Sequence, residues 1–298
     1  MIDAAVLGRV GIDLYPNELE TPLSEVHTFT RFVGGFAGNV ATGLARLGVR
    51  AAIVSRVGAD GHGDYVRAWL AREGVDVRFL ATDSYWQTPP TFCEVWPPDR
   101  FPITFYRKPT APDWQLAPED FDANEVSEAR LLFATGTGLA QSPSRETTLG
   151  ALRAHRGTTV FDLDWRPALW DDPNAYPALA AEASDLADIV IGNEDEVDAA
   201  HVEPPALVLK RGERGATVYE RGEETDVPGH PVDVVNGLGA GDAFAAALGH
   251  SLLQGASLVE AVRRGTVAGA IVASRLACSD AMPRLDELEA ALVSGTQV

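Results

Sequence analysis

Short apolar runs alternate along this chain with stretches of helical period, and that alternation limits the available folds more than any other feature. Residues 4–7, 51–57, 131–135, 159–163, 189–191 and 206–209 read as strands, the first continuing from Met1. Residues 36–47, 63–73, 144–155, 240–253 and 258–274 read as helices. Strands joined through helices pair in parallel, and both faces of the resulting sheet need cover, so the expected class is α/β with a central, mostly parallel sheet. Two regions interrupt the pattern. Residues 12–33 and 91–108 carry prolines, aromatics and polar–apolar alternation without a helical period. Within the second, residues 91–96 and 103–107 read as strands joined by a Pro-Pro-Asp-Arg turn. A small β-sheet standing off the main body as a lid accounts for both regions. No linker or internal repeat divides the chain, so a single domain over 1–298 is expected.

Composition narrows the partners. Hydrophobic residues make up 46% of 298, enough for a large core, while 43 acidic against 24 basic residues give a net charge of −19. Such a surface repels nucleic acid and anionic membrane, so an anionic ligand must be drawn in by local positive groups. Cys93 and Cys278 are the only cysteines, too few for a disulfide framework or a cysteine-built zinc site. The start of the chain lacks a basic leader and no apolar run could span a bilayer, which leads us to expect a cytoplasmic protein.

The run Asn236-Gly237-Leu238-Gly239-Ala240-Gly241-Asp242 opens an apolar helical segment. Gly239, Ala240 and Gly241 leave backbone N–H groups uncovered, and a helix start adds unpaired donors and partial positive charge, a combination that attracts phosphate. A carboxylate there opposes anion binding. Asp242 makes chemical sense as the base that takes a proton from a hydroxyl attacking phosphorus. The expected reaction is phosphoryl transfer to a small alcohol.

Other constellations surround this one. Gly34-Gly35-Phe36-Ala37-Gly38-Asn39 precedes a helix, and its density of small residues suits close approach of backbone to a ligand, with Asn39 alongside. Asp13 follows the first strand, where open parallel sheets bind ligands, and is placed to accept bonds from substrate hydroxyls. Arg166, after the 159–163 strand, and Arg107, at the end of a lid strand, could each pair with a carboxylate, and together they point to an acidic substrate. Asn193 and Glu196 fit either a helix cap with acidic first-turn residues or a pair holding the waters of Mg²⁺. Lys210, Gly212 and Gly215 form a strand end and tight turn that could also touch a nucleotide.

These pieces, in this order, resemble the ribokinase/PfkB family of carbohydrate kinases over nearly the whole chain. The motifs that carry it are the segments 34–61 and 236–244. The resemblance implies a ribokinase-like three-layer sandwich with a β-sheet lid, and ATP and Mg²⁺ as cofactors. It implies an anion hole at Gly239, Ala240 and Gly241 with Asp242 as base. Sugar contacts would fall to Asp13, Gly34, Gly35 and Asn39. Asn193 and Glu196 would organise Mg²⁺ through water, Lys210 to Gly215 would lie on the nucleotide side, and Ala268 to Ser274 near the adenine. Segments 11–16, 105–107 and 162–170 look most like the branch acting on deoxy keto sugar acids, 5-dehydro-2-deoxygluconate first and 2-keto-3-deoxygluconate next, with Arg107 and Arg166 as specificity residues. Kinases of neutral sugars or nucleosides, and a sensor without turnover, are the competing possibilities. One departure stands out: Asn236-Gly237-Leu238 replaces the Asp-Thr-Thr of most members, leaving activation by a monovalent cation open. A homodimer paired through exposed lid strands is a further expectation.

Overall fold

A computed structural model describes residues 2–294. Met1 and residues 295–298, which the expected span of 1–298 includes, lie outside them. The strands are β1 (Ala4–Leu7), β2 (Gly11–Pro16), β3 (Phe29–Gly34), β4 (Ala51–Gly58), β5 (Leu80–Asp83), β6 (Pro90–Cys93), β7 (Ile103–Phe105), β8 (Leu131–Thr135), β9 (Thr158–Asp162), β10 (Ile189–Asn193), β11 (Ala206–Lys210), β12 (Ala216–Glu220) and β13 (Glu223–Val227). The helices are α1 (Phe36–Arg46), α2 (Gly61–Arg72), α3 (Ala123–Ser127), α4 (Ser144–Ala154), α5 (Tyr176–Asp185), α6 (Glu194–Ala200), α7 (Ala240–Leu253), α8 (Leu258–Ala273) and α9 (Leu285–Ser294).

Nine strands form one sheet in the order β13-β12-β11-β10-β9-β8-β1-β4-β5, parallel from β5 to β11 and closed at the other end by the antiparallel β12 and β13. Alternate residues face opposite layers. Ala4, Val6 and Phe133 pack toward α1, α2 and α7, whereas Ala5, Leu7 and Leu132 pack toward α4 and α5. The result is the expected three-layer sandwich. Sequence patterning missed β5, β12 and β13; β5 and β13 are the edges of the sheet, and Glu-Glu-Thr-Asp-Val in β13 has a single buried residue and almost no apolar signal. No helix among the described residues is long and apolar enough to cross a membrane.

The interrupting regions fold together as a second sheet, β3-β2-β6-β7. Its strands are shorter than expected: β6 stops at Cys93 and β7 at Phe105. Beyond Cys93 the hairpin continues only through scattered bonds, Glu94 N–H to the Pro102 carbonyl and the Trp96–Arg100 bridge, since three prolines supply no donors. At its tip the Phe101 ring lies against Gly237, beside the start of α7. The carboxyl ends of β1, β8, β9, β10 and β11 lead into Arg9, Thr137, Asp164, Glu196 and Lys210, so polar groups distant in sequence meet along one edge of the large sheet.

Candidate active site

The site is built around the start of α7. Gly239 caps the helix with φ of 84°, a left-handed conformation that favours glycine, and a Cβ there would lie 2.9 Å from that of Cys278. Among the described residues no acceptor pairs with the N–H of Gly241 or Asp242, leaving donors directed at whatever sits before the helix. Lys210 joins them: its Nζ would lie 3.6 Å from a Cβ at Gly241. The ammonium is 3.1 Å from Asp162 Oδ2 and 3.9 Å from Glu196 Oε2. Burial works against its charge, but the two carboxylates outweigh that and hold its pKa above the ordinary lysine value.

Asp242 projects from the first turn and accepts a 2.7 Å bond from Asn39 Nδ2, across from α1. Burial, reinforced by Asp164 and Asp162, pushes its carboxyl up to about 7, against the opposing pull of Asn39 and Lys210. Sequence alone placed Asn39 near a ligand but gave no sign that it holds the Asp242 carboxylate. A carboxylate titrating near neutrality at a helix start can accept a proton at physiological pH.

Facing Asp242 across one cavity are Asp13, Gly34, Gly35 and three arginines. Burial pushes Asp13 up to about 7, with Arg9 opposing. Gly34 is required for that carboxylate, since a Cβ there would come within 2.1 Å of it. Arg166 Nε lies 3.2 Å from Asp164 Oδ1, and the Arg166 side chain is half exposed. Asp164 is buried, yet Arg9, Arg166 and Thr137 more than offset that burial and hold its pKa below the ordinary aspartate value.

Arg107 is 4% exposed, paired with Asp113 and 4.5 Å from the Trp114 ring centroid. A guanidinium this deep needs a counter-charge, and Asp113 also fixes the chain by accepting the Val10 N–H at 2.9 Å. Arg107 still lines the cavity, and its Nε has no partner among the described residues. Arg9 was not singled out from the sequence. Its place just past β1, at the same sheet edge that marked Asp13, was the available signal.

Asn193 and Glu196 form a reciprocal cap at α6, each side chain accepting the other's N–H at 2.8 Å. The capping role is therefore real, and it also presents the buried Glu196 carboxylate to Lys210. All seven nucleotide-side residues, Asn193, Glu196, Lys210, Gly212, Gly215, Ala268 and Ser274, lie outside the lining of that cavity. Gly212 and Gly215 shape the β11–β12 turn, where Gly215 packs against Val227 and Gly229. Ala268 is fully buried among the residues of α7 and α8. Ser274 closes α8 and donates to the Ile271 carbonyl. Asn236 is buried and uses both ends of its amide: Oδ1 accepts the Leu238 N–H and Nδ2 donates to the Leu276 carbonyl at 2.6 Å.

Residues 1–285 match the model of the pfkB family carbohydrate kinases. The chain belongs to the pfkB family. It is an ATP-dependent carbohydrate kinase, in accord with a buried carboxylate beside a helix start whose N–H groups are unpaired. Among pfkB relatives, the 5-dehydro-2-deoxygluconokinase of Geobacillus thermodenitrificans is 34% identical, over 97% of this chain and 92% of its own length. That of Photobacterium profundum is also 34% identical, over 96% and 93%. An uncharacterized sugar kinase from Pyrococcus horikoshii, solved with ATP, superposes with a TM-score of 0.87 at 28% identity, covering 95% of this chain and 96% of that one. A fructokinase from Vibrio cholerae, solved with fructose, ADP and calcium, gives 0.86 at 27%, covering 98% and 99%.

Proposed function

We propose that this kinase transfers the γ-phosphoryl group of ATP to the terminal hydroxyl of 5-dehydro-2-deoxy-D-gluconate, giving the 6-phosphate, a step of inositol breakdown. The observation that carries the substrate is the set of arginines lining one cavity with Asp242, a lining suited to a carboxylate at one end of the substrate and a reacting hydroxyl at the other. The relatives' names point the same way. Asp13, Gly35 and Asn39 bind the sugar hydroxyls. Asp242 takes the hydroxyl proton as the new O–P bond forms and the bond to ADP breaks, while the N–H groups at 239–242 and Lys210 stabilise the transferring oxygens.

Mg²⁺ would be carried mainly by phosphate and water. The buried Glu196 carboxylate and Asn193 are the oxygen donors placed to hold such waters. Bound there, Mg²⁺ would neutralise the phosphate charge. The small sheet acts as a lid that excludes water from the cavity. Its edges, β3 and β7, support pairing of two copies, and the cytoplasm is the proposed compartment.

The test is ADP release with a substrate panel: 5-dehydro-2-deoxygluconate and 2-keto-3-deoxygluconate beside fructose, ribose and adenosine. The highest kcat/KM is expected for the first. A higher value for any neutral sugar would overturn the assignment.

A further inference from the structure

The three cavity arginines are not equivalent. Arg107 has its own carboxylate in Asp113, whereas Arg9 and Arg166 share one, Asp164. The Arg9–Asp164–Arg166 group therefore carries one surplus positive charge beside the cavity. Arg166 is half exposed and held by a single 3.2 Å contact. Arg9 is 8% exposed and fixed at two points: Nε donates to Thr137 Oγ1 at 2.8 Å and Nη2 to Asp164 Oδ2 at 2.9 Å. Thr137 in turn donates to the same Asp164 oxygen at 2.6 Å, so anchor and counter-ion brace one another. No acceptor among the described residues takes the Nη1 amino group, and Arg9 lines the cavity. The Phe105 ring, from the small sheet, lies 5.8 Å from the guanidinium and limits its contact with water.

We propose that Arg9 is a substrate-binding residue whose Nη1 amino group takes the carboxylate of the sugar acid, making it the pre-organised part of the specificity site. A fixed, buried donor loses little entropy on binding and acts in a low dielectric, whereas Arg166 must first be ordered. This deepens the sugar-acid assignment and rests on it. The Arg9 contact selects for a negative charge at one end of the substrate and leaves the hydroxyl chemistry at Asp242 unaltered.

The experiment compares 5-dehydro-2-deoxygluconate with its carboxamide, a neutral analogue of the same shape, in the wild-type protein and in Arg9→Gln and Arg9→Lys. A hydrogen bond between charged groups corresponds to a change of about 10- to 100-fold in affinity. In Arg9→Gln the KM for the acid should rise by that factor. KM for the amide should move by less than about threefold, because that ligand never used the charge. Arg9→Lys should recover part of the preference for acid. Thr137→Val, which removes an anchor and no charge, should weaken the preference partially. An unchanged acid-to-amide preference in both Arg9→Gln and Thr137→Val overturns the proposal, as does an equal rise in both KM values, the mark of a structural role. A wild-type protein that turns over neutral sugars and rejects the acid overturns the substrate assignment itself, and the Arg9 contact with it.

Discussion

Removing the Asn39 amide tests the pairing between base and cavity directly. Asn39 Nδ2 donates to Asp242 at 2.7 Å, and a bond of this kind favours the ionised carboxylate. Bonds to charged groups contribute about 1.5–3 kcal/mol. At 1.36 kcal/mol per pKa unit, Asn39→Ala should raise the Asp242 pKa by about one to two units. Starting from about 7, the carboxyl would titrate near 8–9. The ionised fraction at pH 7 then falls from about one half to roughly 0.1–0.01, a loss of about 5- to 50-fold. The assay is coupled ADP release from pH 5.5 to 9.5 with both substrates well below saturation, where kcat/KM reports the free enzyme. Titration of ATP itself is common to wild type and variant and cancels in their ratio. The acidic limb should shift to higher pH while activity recovers on the alkaline side. A uniform loss at every pH, with the limb unmoved, would refute the idea that Asn39 controls ionisation of the base and leave it only a sugar contact.

Asp242→Asn should lower kcat by on the order of a hundredfold or more at pH 8, and near-normal turnover would remove Asp242 from the chemistry. The same variant carries a stability signature. A carboxyl raised to about 7 contributes stability that is present below about pH 3.8 and is lost as pH rises through 7, so Asp242→Asn should be more stable than wild type at pH 8, by ~4 kcal/mol, and not at pH 4. Equal melting temperatures at pH 8 would contradict the burial of that charge. Asp113→Ala strands the Arg107 guanidinium without its partner and should cost about 3–5 kcal/mol, read as a fall in Tm of roughly 5–15 °C; an unchanged Tm would mean water already reaches the pair. Because the Asn236 amide already engages the Leu276 carbonyl, exchanging K⁺ for Na⁺ or a bulky organic cation should alter kcat/KM less than about twofold, and strong K⁺ activation would show that a cation shares that carbonyl.

The sequence by itself determined the α/β class, the chemistry at the 236–244 run and the approximate extent of the small sheet. Those features are local. Apolar periodicity, small residues before a helix and a carboxylate in its first turn are each set within a dozen residues. The short edge strands β5 and β13 escaped because partners across a ladder, rather than their own residues, hold them in place. Only the tertiary structure decided which polar groups meet. Asn39 and Asp242 lie 203 residues apart, and Arg9 and Asp164 lie 155 apart. It paired Arg107 with Asp113 in a buried ion pair, sent Ala268 into the core and brought Arg9 into view. Charge and burial depend on everything packed around a group, whichever part of the chain supplies it. The reaction could therefore be read along the chain, while the site that selects its substrate exists only where five strand ends converge.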